Sequence, residues 1–195
     1  MVKRSAAWCL AGLLVLFTGA AWAQDRHQGR VADEKLVAQI DFSSWLPETF
    51  RVSPDNKRIA YITQMNGKQL VVVDGIEGRL YESIAKGSLM FSPDSKRFAY
   101  VAQEGKRQIV VVDGVEGKPY DGLKTNPIFN ANSKRVVYVV QVDDKVCVVV
   151  DGNEGKLYDD ILTTDWGKII FDSPDRFHYF ARKGNSVVLV EERVE

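Results

Sequence analysis

Phe91 to Leu123 reads FSPDSKRFAYVAQEGKRQIVVVDGVEGKPYDGL. The same stretch stands on either side of itself. Upstream, Val52 to Ile84 reads VSPDNKRIAYITQMNGKQLVVVDGIEGRLYESI, and downstream, Phe129 to Ile161 reads FNANSKRVVYVVQVDDKVCVVVDGNEGKLYDDI. A shorter copy opens at Phe171 as FDSPDRFHYFARKGNSVVLVEE. Asp74, Asp113 and Asp151 recur at spacings of 39 and 38 residues, a period that marks stacked supersecondary units. The tyrosines hold the register: Tyr61, Tyr100, Tyr138 and Tyr179 fill one slot, Tyr81, Tyr120 and Tyr158 another, and the chain's 7 tyrosines are thereby used up.

Each copy reads as four short strands. Strand a ends at the Phe50, Phe91, Phe129 or Phe171 slot. A turn follows: Ser53-Pro54-Asp55, Ser92-Pro93-Asp94 and Ser173-Pro174-Asp175, with Asn130-Ala131-Asn132 in the third copy. Proline presets the turn φ, and Asp or Asn accepts hydrogen bonds from nearby amides. Strand b, Arg97 to Ala102 and its equivalents, is apolar on both faces, as in a sheet covered on both sides. Strand c is the valine run. Asp-Gly-x-Glu-Gly then makes a hairpin loop whose glycines supply positive φ, and strand d carries the second tyrosine.

The ends are read differently. Met1 to Ala23 has Lys3 and Arg4, an apolar run from Leu10 to Ala20, and Ala21-Trp22-Ala23 as a small-x-small cleavage site. It reads as an export signal of bacterial type, placing the product in the periplasm or outside the cell. The remaining chain carries 24 basic against 26 acidic residues, interspersed, which argues against nucleic acid or an anionic membrane as main partner. Cys9 falls inside the signal, so Cys147 is left without a disulfide partner; it sits in the slot of Leu70 and Ile109 and reads as a small buried hydrophobe. Residues 24–32 read as a polar, flexible lead. Asp33 to Phe50, DEKLVAQIDFSSWLPETF, aligns without a gap on Glu154 to Phe171, EGKLYDDILTTDWGKIIF, placing Ile40 on Ile161 and Trp45 on Trp166. The N-terminal segment is thus expected to supply, over 33–42, the strand that the last copy lacks and so to close a ring; a short amphipathic helix over Asp33 to Phe42 is the alternative.

The Ser-Pro-Asp turns and the period resemble the Trp-Asp-like propeller repeat of bacterial TolB-type periplasmic proteins, over Phe50 to about Glu192 with a weaker tail back to Asp33. The resemblance implies a β-propeller. The sequence departs from that pattern at Asn56 and Ser95, where the family has Gly, and in lacking the Trp-Asp dipeptide after strand c. TolB-type proteins have six blades and an extra domain, so no Tol-system role is carried over. The expected architecture is all-β: residues 33–195 as a small propeller of about four four-stranded blades (48–85, 88–124, 126–163, and 167–195 completed by 33–42). The alternative is a half-ring that joins a second chain.

Function is expected where the copies differ. These are the b–c loops (64–67, 103–106, 141–144, 183–185) and the d–a loops (43–46, 85–88, 124–126, 163–167), which share one face of the blades. Trp45, Trp166, Asp165, Asp143 and Asp144 are the candidate binding residues there; tryptophan is enriched in interface hot spots and also stacks on sugars. The bland alternative is that the tryptophans plug gaps between blades and the aspartates are solvated. No Gly-x-Ser-x-Gly elbow, phosphate loop or His/Cys metal spacing is present. His178, in the slot of Ala60, Ala99 and Val137, reads as a packed histidine. The repeated aspartates read as structural, since one hairpin loop supplies few of the six to eight oxygens a calcium ion takes. The sequence thus points to an exported, non-enzymatic protein-interaction or scaffold module of the cell envelope, monomer or homodimer, without cofactor or metal. A propeller binding a small molecule, glycan or metal ion is the alternative, and an enzyme a further one.

Overall fold

The computed structural model describes residues 31–163 and 168–194. Trp166 and Asp165, and the signal-like segment, lie outside the described residues. The described residues from 36 onward cluster as one compact unit, and those before it, 31–35, carry no regular secondary structure.

Four antiparallel sheets follow one another along the chain, and no helix occurs among the described residues. Blade 1 is β1 (Trp45–Val52), β2 (Ile59–Met65), β3 (Lys68–Val73) and β4 (Ile76–Glu77), in that spatial order. Blade 2 is β5 (Ser83–Ile84), β6 (Met90–Phe91), β7 (Phe98–Glu104), β8 (Arg107–Val112) and β9 (Val115–Tyr120). Blade 3 is β10 (Gly122–Leu123), β11 (Ile128–Phe129), β12 (Val136–Val142), β13 (Lys145–Val150) and β14 (Asn153–Glu154). Blade 4 is β15 (Asp160–Ile161), β16 (Ile170–Ser173), β17 (Arg176–Lys183) and β18 (Ser186–Arg193).

In blades 2 to 4 the first strand is split. β5 and β6 both pair with β7, β10 and β11 with β12, and β15 and β16 with β17. Ile84, Leu123 and Ile161 therefore open a sheet, rather than closing the one before. In blade 1 the two halves are a single strand, β1, whose register jumps between Leu46 and Arg51.

The turns carry the geometry. Asp74-Gly75, Asp113-Gly114 and Asp151-Gly152 put both central residues at positive φ, the two-residue hairpin that matches strand twist. An aspartate tolerates this because its carboxylate is held: Asp113 Oδ1 accepts the Phe98 N–H at 2.9 Å and Oδ2 the Arg97 Nε at 2.8 Å. Asp74 does the same with Ile59 and Arg58, and Asp151 with Val136 and Arg135. The second glycine of each loop has another reason. A Cβ on Gly78, Gly117 or Gly155 would meet the carbonyl oxygen of Val71, Val110 or Val148 at 3.0–3.1 Å.

The core lies between blades. Ala60, Ile62, Val71 and Val73 of blade 1 pack against Tyr100, Ala102, Ile109 and Val111 of blade 2, and the pattern recurs between blades 2 and 3 and between 3 and 4. We call the first set the leading face and the second the trailing face. Strand b is two-sided apolar for this reason. Full burial of one such aliphatic side chain is worth about 1.5–3 kcal/mol.

Two expectations fail here. The strand over 33–42 does not form, and neither does the alternative helix: residues 31–40 carry no regular secondary structure, and the hydrogen-bonded closure is not made among the described residues. Ala38 instead lies against the Gly75 turn, and Ile40 packs with Trp45 and Phe50 on Tyr61, Leu70 and Val72, the trailing face of blade 1. The Trp45 register also differs. Trp45 stands opposite Thr63, as Ile84 stands opposite Ala102 and Ile161 opposite Ala181. It holds the slot of Ile161 and not that of Trp166. The ungapped alignment missed this because blade 4 places eight residues between β15 and β16, whereas β1 passes from its Leu46 pairing to its Arg51 pairing with only four residues between.

Candidate interaction surface

Most recurrent polar side chains are spent on joining blades. Arg58 crosses to blade 2: its Nη1 donates to the carbonyls of Ser95 at 3.0 Å and Lys96 at 2.7 Å, and its guanidinium lies 5.3 Å from the Phe91 ring centre. Arg97 repeats this on Ser133, Lys134 and Phe129. Ser95 and Ser133 sit at positive φ, and each uses its hydroxyl to accept the N–H of Asp55 or Asp94 in the preceding blade. A second tie runs through strand d. Arg79 donates to Glu116, Lys118 to Glu154, and Arg79 and Lys118 lie over the rings of Tyr81 and Tyr120. Lys118 holds the Glu154 carboxyl below its ordinary pKa.

Clefts of about 300 Å³ and 460 Å³ open beside these ties, at the c–d turns of blades 1 and 2. The larger has an apolar floor of Val110, Val112 and Tyr138 under Arg97, Asp113 and Glu116. These charges already have partners: Arg97 pairs with Asp113 and Glu116 with Arg79. Among the described residues no three His, Cys, Asp or Glu side chains converge on a metal position.

The residues singled out from the sequence fall in different places. Trp45 is half-buried in β1, edge-on to Phe42 at 5.3 Å, Phe50 at 5.9 Å and Tyr61 at 6.2 Å. It is a packing residue of blade 1, with Phe42 exposed above it. Asp143 and Asp144 are exposed in the two-residue turn between β12 and β13, two blades along the chain; the Asp143 carbonyl accepts Gln141 Nε2 at 3.0 Å. The structure does not bring Trp45 and these aspartates into one site. Cys147 is fully buried, and burial pushes its thiol up to about 11, so it stays protonated at neutral pH. His178 lies half-exposed on blade 4 with Nδ1 2.8 Å from Asp172.

The surface that departs from the repeat is the leading face of blade 4. Ile62, Val101 and Val139 are at most 2% exposed; Phe180, in the same slot, is 46% exposed. Val71, Val110 and Val148 are likewise covered, whereas Leu189 in their slot is 53% exposed. Val187 at 61% and Ile170 at 43% extend the apolar patch. Beside it, β18 is an edge over eight residues: blades 1 to 3 pair strand c with a strand d, but no strand pairs with the outer side of β18 among the described residues. In those blades Gln69 and Val146 exchange two main-chain hydrogen bonds with Tyr81 and Tyr158. Val187 holds their slot.

No family model matches the chain, and no curated protein matches it. Solved structures do. The β-propeller domain of the trilobed protease from Pyrococcus furiosus is similar at 13% identity and a TM-score of 0.47, over 75% of this chain and 56% of that one. TolB from Acinetobacter baumannii is similar at 13% identity and a TM-score of 0.44, over 75% of this chain and 40% of that one. An acylaminoacyl peptidase is similar at 14% identity and a TM-score of 0.38, over 77% of this chain and 34% of that one. The chain thus spans about half or less of these proteins' lengths.

The blade 4 patch had a sequence signal that the comparison of copies passed over. Phe180 replaces Ile62, Val101 and Val139, a larger apolar group in an aliphatic slot, and where the other copies turn at Asp-Gly-x-Glu-Gly, β18 continues through Glu191-Glu192. Chemically, the surface offers an apolar sheet face and a row of free main-chain donors and acceptors. That combination suits another protein strand.

Proposed function

We propose that this protein is an exported, non-enzymatic interaction module of the cell envelope, and that it engages protein through the terminal face of blade 4. The supporting observation is the exposed apolar patch of Ile170, Phe180, Val187 and Leu189 beside the unpaired edge β18. Contiguous exposed apolar surface next to a free sheet edge is a liability unless a partner covers it. The export half of the reading rests on the signal-like Met1–Ala23 sequence. The test places a photocrosslinking side chain at Phe180, and separately at exposed Lys96 as a control, in the exported protein. Protein adducts at Phe180 exceeding those at Lys96 are the expected result. Absence of any protein adduct at Phe180 in the folded protein overturns the reading.

A further inference from the structure

Resting on that reading, we propose that the occupant of the blade 4 face is a second copy of this chain, whose blade 1 docks there as each blade docks on the one before. Two such contacts related by a two-fold axis place two chains in one ring of blades.

The argument is continuity with an interface built three times within the chain. Each junction needs a leading face, a trailing face, an arginine crossing to the next turn, and a strand d lying between. Blade 4 offers the leading half. Phe180 and Leu189 stand in the slots of the buried Ile62 and Val71. Arg176, three residues before Tyr179, holds the slot that Arg58 and Arg97 hold before Tyr61 and Tyr100, and is exposed. Blade 1 offers the receiving half. Its trailing face, Tyr61, Leu70 and Val72 in the slots of Tyr100, Ile109 and Val111, is already buried beneath Ile40, Trp45 and Phe50, so what it presents to a partner is that covering layer with exposed Phe42 at its rim. The carbonyls of Asn56 and Lys57 are the counterparts of the Ser95 and Lys96 carbonyls that accept Arg58.

The strands complete one another as well. Among the described residues blade 4 has a strand c without a strand d. Blade 1 is preceded by a segment in the position of a strand d without a strand c. Trp45 takes the slot of Ile84, so counting back three residues puts Phe42 at the slot of Tyr81. Leu36, Val37 and Phe42 of that segment are exposed apolar groups, at 75%, 41% and 70%. Among the described residues these halves do not meet: no strand pairs with the outer side of β18, and Phe180 is open. A second copy carries the missing half without any new sequence. Because the two patches differ, the contact is head-to-tail, and it ends only by closing on itself.

The experiment mixes two pools of the mature protein, one of natural isotope content with a photocrosslinking residue at Phe180, the other fully ¹⁵N-labelled and wild type, and adds light scattering on each pool. The expected result is a mass of two chains and adducts joining Phe180 to ¹⁵N peptides from residues 36–72. A monomer whose adducts join Phe180 to the same peptides of natural isotope content overturns the second copy in favour of closure within one chain. Adducts only to other proteins also overturn it, while leaving the interaction reading intact. No adduct at all overturns both. Species larger than two chains overturn the closed pair. Two variants accompany the test, Phe180→Asp and, in case that one does not fold, Arg176→Ala; each is expected to shift the two-chain species toward one chain at a given concentration, and a folded variant with unchanged mass speaks against the interface.

Discussion

At the scale of single residues, the aspartate of each c–d turn is the most constrained group. Asp113 at φ 53° ties its own hairpin to the start of strand b through Phe98 N–H and Arg97 Nε, and Arg97 then reaches the next blade. Its structural character was readable from recurrence at Asp74, Asp113 and Asp151. Its partners were not, because the arginine that answers it lies 16 residues earlier and the sequence gives no contact. Asp113→Ala leaves the Phe98 N–H and the guanidinium without their acceptor and keeps a side chain at positive φ. A hydrogen bond to a charged group is worth about 1.5–3 kcal/mol, discounted here because both side chains are partly exposed. The expected loss is about 1–2 kcal/mol in urea unfolding, with Asp113→Asn losing less because its oxygen still accepts from Phe98. Equal losses for the two variants would show that the neutral part of the contact carries nothing.

At the scale of strands, the tyrosine slots were fully readable, and the structure explains them: Tyr81 meets Tyr100, Tyr120 meets Tyr138 and Tyr158 meets Tyr179, each edge-on at 6.2–6.4 Å across a blade junction. What was not readable is the split of the first strand. Two-residue pieces such as β5 and β6 carry too few residues for a period, and Ile84 reads equally well as the end of one sheet or the start of the next. The same ambiguity moved Trp45 out of register with Trp166. The buried phenols make a pH prediction. Burial raises the pKa of Tyr61, Tyr81, Tyr100, Tyr120, Tyr138 and Tyr179, with Tyr138 reaching about 12. An unfolded phenol ionises near 10. With the folded value above the unfolded one, the contribution to stability is fully present below about pH 10 and is lost as pH rises from there through the folded values. Denaturation free energy should therefore be level with respect to these groups up to about pH 9.5 and fall above 10, while phenolate absorbance at 295 nm in the native protein lags that of the unfolded chain. Native and unfolded titration curves that coincide would contradict the burial of these rings.

At the scale of the molecule, the sequence counts blades but does not fix what lies beyond the last one, since closure depends on how the blades are disposed and not on which residues recur. Among the described residues blade 4 has a neighbour on one face and a strand on one side of β18, so its outer edge is the least protected part of the repeat. Amide exchange measures this directly. Gln69 and Val146 donate outward to Tyr81 and Tyr158 carbonyls at 2.9 Å and 3.0 Å; Val187, in their slot, has no such acceptor among the described residues. Val188, one residue on, points its N–H toward β17 by the alternation of the strand. An amide without an acceptor exchanges with an opening energy near zero, and each ~1.4 kcal/mol of opening energy slows exchange about tenfold. In dilute solution Val187 should therefore exchange at least about tenfold faster than Gln69 and Val146, with Val188 still protected. Raising the protein concentration into the range where two chains associate should slow Val187 and leave Val188 unchanged, because only the outward amide gains an acceptor from the partner. Protection of Val187 that is already complete in dilute solution, and indifferent to concentration, would mean that the edge is filled from within the chain.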